Sequence, residues 1–508
     1  MSLAVVHTRA AVGIDAPPVA VEVHLAPGLP ALSMVGLPET AVREARDRVR
    51  SAILNSGYTF PPGRVTVNLA PADLPKGGGR FDLAIAVGIL TASGQLPAEV
   101  ERFELLGELA LGGGLRGVGA VLPAALAARR AGRDLLVASG DREEAALVHP
   151  GGVYAAATLL EACRHMAEGT LEPALPLPAE DAMRRSGEAA LKVTVDLAEV
   201  RGQWPARRAV EIAAAGGLHL LLMGPPGTGK SMLAMRLPGL LPPLEEGAAL
   251  EVAAIRSVSG EGLDPARWRT PPFRAPHHTV SAAALVGGGA APAPGEVSLA
   301  HHGVLFLDEL PELPRHAREA LREPLERRRV TVARAGGHLT FPASFQLVAA
   351  MNPCPCGFWG DPGRPCRCTP EQVARYRGRL SGPLLDRFDL AVEVPRLTAT
   401  ELTHAQPGEP SAVVRDRVAA ARRWRMKRSG CMSAALEGEA LRTACRLESD
   451  GAALLEEATE RLGLSPRGHA RLLRVARTIA DLAGAERITT GHVAEAITLR
   501  RPLTMEPS

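Results

Sequence analysis

Eight consecutive residues, Gly224, Pro225, Pro226, Gly227, Thr228, Gly229, Lys230 and Ser231, have the spacing G-x-x-x-x-G-K-[ST]. They follow an apolar run, LHLLLMG (218–224), and precede a helical stretch, MLAMRL. In that context the pattern is a phosphate-binding loop. Its glycines let backbone N–H groups turn inward on an anion, and the following helix offers the positive end of its dipole. Lys230 then reaches the β- and γ-phosphates of ATP, and the Ser231 hydroxyl is a ligand for Mg²⁺. The partner motif is VLFLDE, where Asp308 and Glu309 end a second apolar run. Asp308 would act on the Mg²⁺ shell and Glu309 would polarise the attacking water. Asn352 follows a third such run, placed to orient the same water.

A different chemistry is offered by NPCPCGFWGDPGRPCRCTP, which carries Cys354, Cys356, Cys366 and Cys368. These are four of the seven cysteines in 508 residues. Four thiolates suit tetrahedral Zn²⁺, although C-x-C pairs are tighter than the usual C-x₂₋₄-C spacing. Free structural thiols or a redox pair are the alternatives. Cys163, Cys431 and Cys445 read as small core residues.

The elements that hold these groups fall into three segments, multidomain α/β overall. Residues 1–165 alternate strand-like runs, VAVEVHLA (19–26) and GRVTVNLAP (63–71), with helical ones, PETAVREARDRVRSAILNSG (38–57) and FDLAIAVGIL (81–90). That reads as an α+β domain, followed by a linker over 166–190, rich in Pro and small residues. Residues 191–397 read as an α/β core, because LHLLLMG, GVLFLDE (303–309) and FQLVAAMNP (345–353) are continuous apolar runs of parallel strands buried on both faces. RRVTVARAGGHLTFPA (328–343) reads as a hairpin around a Gly336–Gly337 turn. A linker over 398–411 leads to a helical segment, 412–502. Two basic series lie in that segment: Arg415, Arg417, Arg422, Arg423, Arg425, Lys427 and Arg428, then Arg461, Arg467, Arg471, Arg474 and Arg477. The plain expectation is a solvated helix face, the alternative a contact with nucleotides or neighbouring subunits.

In this order GPPGTGKS, VLFLDE, MNP and LLDRFD (384–389) resemble an AAA+ ATPase, and more narrowly the magnesium-chelatase-like branch that also holds the MCM helicases. GLPETAVREARDRVRSA, VNLAPADLPK, FRAPHHT, HHGVLFLDELPE, NPCPCG and ARTIADL are similar to the ComM/YifB family across nearly the whole chain. The resemblance implies an AAA+ P-loop core with a helical C-terminal lid domain of the Mg-chelatase type. It matches Arg387 to the arginine finger that reaches a neighbouring subunit's γ-phosphate. It matches Arg467 to the sensor-2 arginine of the lid, with Arg474 the poorer choice. Residues 273–295 correspond to a helix-2 insert, and the hairpin to one that projects into a central pore, where Arg334 and His338 would meet DNA phosphates.

VNLAPADLPKGGGRFDLAIAVGIL (67–90) and GELALGGGLRGVGAVLP (107–123) resemble the proteolytic domain of Lon. Its nucleophilic Ser falls at Arg80 and its Lys near Leu122, so the resemblance implies a Lon-protease-like domain without peptidase activity. The implied protein is a homo-hexameric, ATP- and Mg²⁺-dependent DNA motor. It would act on single-stranded or branched DNA and promote branch migration during recombination in natural transformation. The rival readings are a magnesium-chelatase motor subunit, which the Lon-like segment argues against, and a protein-remodelling ATPase. Composition narrows the setting. No run of 18 or more apolar residues predicts a membrane helix, the apolar start of MSLAVVHTRAAVGIDAPP is broken by His7 and Arg9, and seven Cys fit a reducing compartment. A cytoplasmic protein without a membrane partner is expected. The net charge of +3 says little by itself.

Overall fold

The computed structural model describes residues 2–36, 39–74, 76, 78–176, 195–264, 267–289, 293–334, 337–404 and 406–500. In the first segment, alternation of β-branched residues sets the strand faces. Pro18–Ala26 buries Val19, Val21 and Val23 and pairs antiparallel with both Ser2–Arg9 and Arg64–Ala70. A mixed seven-stranded sheet results, in the order 31–35, 64–70, 18–26, 2–9, 103–105, 134–138, 153–156. Helix Asp82–Ala92 is apolar on every side and is accordingly buried along almost its whole length. Helix Glu39–Asn55 follows the amphipathic pattern expected for 38–57.

The second segment is built on a five-stranded sheet, all parallel, in the order 273–274, 304–307, 346–351, 220–223, 390–393. Its central strands are almost continuously apolar because both faces are covered. Leu220, Leu222, Phe306, Val348 and Ala350 enter one core, while Leu221, Leu305, Leu307, Leu347 and Ala349 enter the other. The hairpin pairs Arg329–Arg334 with Gly337–Pro342, and Gly337, expected in the turn with Gly336, instead lies in the second strand opposite Arg334, so residues 335 and 336 separate the strands. Those two residues lie outside the described ones, as do residues 177–190 of the first expected linker.

Helix Glu246–Ser259 joins the two sheets. The Ser257 carbonyl accepts from Ala120 N–H at 3.1 Å and its hydroxyl accepts from Leu122 N–H at 3.3 Å, while Ala253 and Ala254 pack among Leu122, Ala125 and Ala128. On the same helix Glu251 meets Nε2 of His301 at 2.8 Å and of His302 at 2.9 Å. His301 Nδ1 accepts from Ser344 N–H at 2.9 Å, so its proton sits on Nε2 and points at Glu251. Burial pushes this imidazole down to about 4, which keeps it neutral. The clamp fixes the start of the strand Val304–Leu307, and hence its other end.

Two expectations are revised. Part of the 166–190 linker is packed: helix Leu159–Glu168 runs into it, and Ala174 is buried with its N–H on Val153 O at 2.6 Å. Within 398–411 lies a helix, Ala399–His404. The basic series are only partly a solvated face: Arg415, Arg423, Lys427, Arg461 and Arg467 are exposed, whereas others turn inward. Arg422 and Arg425 donate to the Ala214 and Ala215 carbonyls that end helix Trp204–Gly216. Arg425, Arg428 and Arg477 converge on the Asp481 carboxylate, with Nε of Arg425 at 3.1 Å and of Arg477 at 2.9 Å. Arg471 pairs with buried Asp389 at 2.7 Å, which also accepts from His219 N–H at 2.9 Å. These bonds seat the C-terminal helices, Ser411–Ser429 to Thr490–Thr498, against the sheet.

Removing the buried carboxylate at the centre of an ion cluster strands its arginines. Asp481→Ala should therefore cost about 3–5 kcal/mol in urea-induced unfolding. Glu439→Ala, at an exposed pair with Arg442, should leave the midpoint where it is.

Candidate functional site

A parallel sheet delivers the ends of its strands to one edge, and three of the apolar runs end there in reactive residues. After Met223 the chain must pass close to the neighbouring strand: a Cβ on Gly224 would overlap the Val394 carbonyl, so only glycine fits. Gly227 (φ 76°) and Gly229 (φ 94°) are left-handed and face open space. Among the described residues the N–H groups of Gly227 and Gly229 have no protein acceptor. The loop thus presents unpaired donors ahead of helix Lys230–Arg236, the donor set that phosphate oxygens require.

Lys230 is buried, with Nζ donating to the carbonyls of Gly224 (2.7 Å) and Pro225 (2.8 Å) and to Asn352 Oδ1 (3.2 Å). Burial lowers its pKa, against the opposing pull of Asp308 and Glu309. The Ser231 hydroxyl donates to Asp308 Oδ2 at 2.6 Å, so a hydroxyl and a carboxylate converge as hard oxygen ligands of the kind Mg²⁺ takes. Glu309 is left-handed (φ 49°), a conformation costly for a side chain with a Cβ, and its N–H is held by Asp308 Oδ1 at 2.9 Å. Its carboxylate lies 3.2 Å from His278 Nδ1. FRAPHHT carries the family resemblance, but no contact of His278 was expected; the histidine pair His277–His278 inside the 273–295 insert was the available signal. Lys230, Ser231, Asp308, Glu309 and Asn352 therefore form one cluster.

Arg387 and Arg467 do not join it. The strand Leu390–Glu393 runs parallel to Leu220–Met223, so Arg387, which precedes it, lies at the opposite edge of the sheet from the loop that follows Met223. Arg387 is buried, donating to the Pro383 carbonyl and to Glu326. Arg467 begins helix Pro466–Leu482, one turn before the Arg471 that grips Asp389, and its Nη1 lies 3.8 Å from the same Glu326. Arg334 lies at the end of a hairpin strand; its side chain is outside the described residues.

The four cysteines close a loop beside this cluster. Sγ separations are 3.4 Å for Cys354–Cys356, 3.7 Å for Cys354–Cys366 and 3.5 Å for Cys356–Cys366, and all four sulfurs, Cys368 included, lie within 4.8 Å of one another. Disulfides would require about 2.05 Å. A tetrahedron of ~2.3 Å Zn–S bonds has edges of about 3.8 Å, close to what is seen, so the donor set fits zinc. Burial raises the Cys356 thiol, but the N–H groups of Arg367 and Phe358 with the neighbouring thiols outweigh it and bring it down to about 6. The loop touches the phosphate-binding loop directly: Gly357 is left-handed (φ 84°), and a Cβ on it would stand 2.5 Å from Pro226 Cδ.

That contact generates a prediction. Gly357→Ala adds a left-handed penalty of ~1–2 kcal/mol and pushes a methyl against Pro226. If the phosphate-binding loop yields, nucleotide binding should weaken by roughly tenfold, as 1.4 kcal/mol corresponds to, in a titration with a fluorescent nucleotide.

Comparison with known proteins agrees with this geometry. The family described as magnesium chelatase, subunit ChlI, matches residues 196–402, its C-terminal counterpart matches 408–500, and the family described as subunit ChlI of Mg-chelatase matches 21–141. The last match removes the ground on which the first segment was expected to argue against a chelatase. The uncharacterized protein YifB of Salmonella typhimurium is 52% identical over 502 residues, covering 98% of this chain and 97% of its own. The competence protein ComM of Haemophilus influenzae is 50% identical over 503 residues, covering 98% of each. DNA replication licensing factor mcm7 of Xenopus tropicalis is 29% identical over 175 residues, 34% of this chain and 20% of that one. No described helix is long and apolar enough to cross a membrane. With all three segments matched and full-length relatives at half identity, the chain belongs to the ComM/YifB family of Mg-chelatase-like AAA+ ATPases.

Proposed function

We propose that this ATPase is a hexameric DNA motor that drives branch migration of recombining strands during natural transformation. One observation carries the ring. The phosphate-binding cluster and Arg387 occupy opposite edges of one sheet, so a single chain cannot bring its own arginine to its own nucleotide. A head-to-tail ring can, with Arg387 and, beside it, Arg467 facing the next subunit's γ-phosphate. Bound Mg²⁺–ATP supplies the phosphoanhydride and a metal that neutralises its developing charge. Around it Lys230 exchanges its carbonyl partners for phosphate oxygens, Ser231 and Asp308 hold the metal, and Glu309 with Asn352 orients the attacking water. Cys354, Cys356, Cys366 and Cys368 would hold a structural Zn²⁺, stiffening the loop that packs against Pro226. The first segment acts in assembly or DNA contact: Arg80, where a Lon-type enzyme needs its serine, donates to Gly119 O at 3.3 Å and cannot serve as a nucleophile. The DNA reading is supported by the family's ComM member, named for competence, and by the hairpin that carries Arg334.

A chelatase motor is the second reading, favoured by the family descriptions that all three segments match. Measuring ATP hydrolysis with and without single-stranded and branched DNA, beside a strand-exchange assay, separates the two. Stimulation by DNA supports the motor, and indifference to every DNA supports the chelatase. Lys230→Ala should lose nucleotide affinity, whereas Glu309→Gln should keep ATP and drop turnover by roughly 10²–10⁴-fold, the contribution of a positioned base. Turnover at the wild-type rate in Glu309→Gln would remove Glu309 from that role. Arg387→Ala should be inactive alone and regain some activity when mixed with Lys230→Ala, because mixed interfaces restore an intact pair. Arg334→Ala should lower the salt slope of single-stranded DNA binding by about 0.7, one phosphate contact's worth of counterion release.

A further inference from the structure

The two arginines assigned to a neighbour's nucleotide share one carboxylate, and its position is informative. Glu326 lies on the short helix Arg322–Arg327. Arg328, left-handed at φ 55°, then turns the chain into the hairpin strand Arg329–Arg334. The Glu326 side chain is half-exposed. It accepts from Arg387 Nη2 and stands 3.8 Å from Arg467 Nη1. Arg387 is almost fully buried, and its Nε has no acceptor among the described residues. The Arg467 side chain is 74% exposed and has no other ion-pair partner among them.

Charge accounting around this point singles Glu326 out. Four guanidiniums gather here, since Arg322, Arg467 and Arg471 all act on Arg387. Arg471 is already neutralised by Asp389 at 2.7 Å and Arg322 by Glu319 at 2.7 Å. Glu326 is the carboxylate left for the other two. Burial and like charge disfavour Arg387 in its ionised, converged position, and Glu326 opposes both.

We propose that Glu326 is a positioning residue that holds Arg387 and Arg467 at a single point and ties that point to the foot of the hairpin. This rests on the reading that both arginines serve the neighbouring subunit's nucleotide. Two guanidiniums that must meet one γ-phosphate repel each other until the phosphate arrives. A carboxylate between them prevents that divergence, so the pair is already converged when the neighbour's nucleotide supplies its own anion. Because only Arg327 and Arg328 separate Glu326 from the hairpin, displacement of the hairpin shifts the carboxylate and with it the two arginines.

The test measures steady-state ATP hydrolysis by the full-length hexamer over a range of Mg²⁺–ATP. Glu326→Gln removes the charge and keeps the shape. It should lower kcat about tenfold, with KM changed less than about twofold, far short of the ~10³-fold loss expected of Arg387→Ala. Glu326→Asp keeps the charge and should recover most of kcat. Arg467→Ala placed in the Glu326→Gln background should add little, because convergence is already lost. Wild-type kcat in Glu326→Gln beside an inactive Arg387→Ala overturns the role of Glu326 and leaves the trans arginine intact. Full activity in Arg387→Ala overturns the reading beneath it instead. Loss of the hexamer, or a defect confined to KM, assigns Glu326 to the fold or to nucleotide binding and likewise overturns the proposal.

Discussion

Parallel pairing imposes the constraint from which most of this molecule follows. Strands that run the same way finish at the same edge, and the connections between them must cross back over the faces. Five such strands place the loop after Met223, the carboxylates after Leu307 and the amide after Met351 side by side. The same rule sends whatever precedes a strand to the far edge, and Arg387 precedes one. The separation of Arg387 from the phosphate-binding loop is thus a topological outcome before any side chain is considered. The loop with Ser231, Asp308 and Glu309 lies at one edge of the sheet, Arg387 at the other.

Charge is then managed locally, with each carboxylate given a defined set of arginines. Asp481 takes Arg425, Arg428 and Arg477 and so locks the C-terminal helices to each other and to the end of helix Trp204–Gly216. Asp389 takes Arg471 at the start of a core strand. Buried clusters of this kind add less to stability than their geometry suggests, because desolvation consumes most of the Coulombic gain. What they secure is a fixed relation between elements. Here that relation sets where Arg467 stands with respect to Arg387.

Small contacts carry the positions of large ones. Glu251 grips two histidines at the start of the strand that ends in Asp308 and Glu309. Ser257, on the same helix, is bonded to the first segment. Separately, Gly357 brings the cysteine loop against Pro226. The cluster is therefore braced by elements that contribute no residue to it.

Much of this was legible in the residues themselves. Local rules act over a few positions, so the phosphate-binding loop, the double-faced apolar strands, the buried helix 82–92 and the hairpin could be read from spacing and periodicity. The cluster of four cysteines was equally visible, because its members are close in sequence. Tertiary structure alone decided the rest, for a physical reason: an arginine looks the same in sequence whether it faces water or a buried carboxylate. The run from Arg415 to Arg428 proved to be partly internal mortar, since its partners, Asp481 and the carbonyls of Ala214 and Ala215, are distant in sequence. In the same way, the pairing of His278 with Glu309 and the sharing of Glu326 by Arg387 and Arg467 arise from chain crossings that no spacing rule encodes.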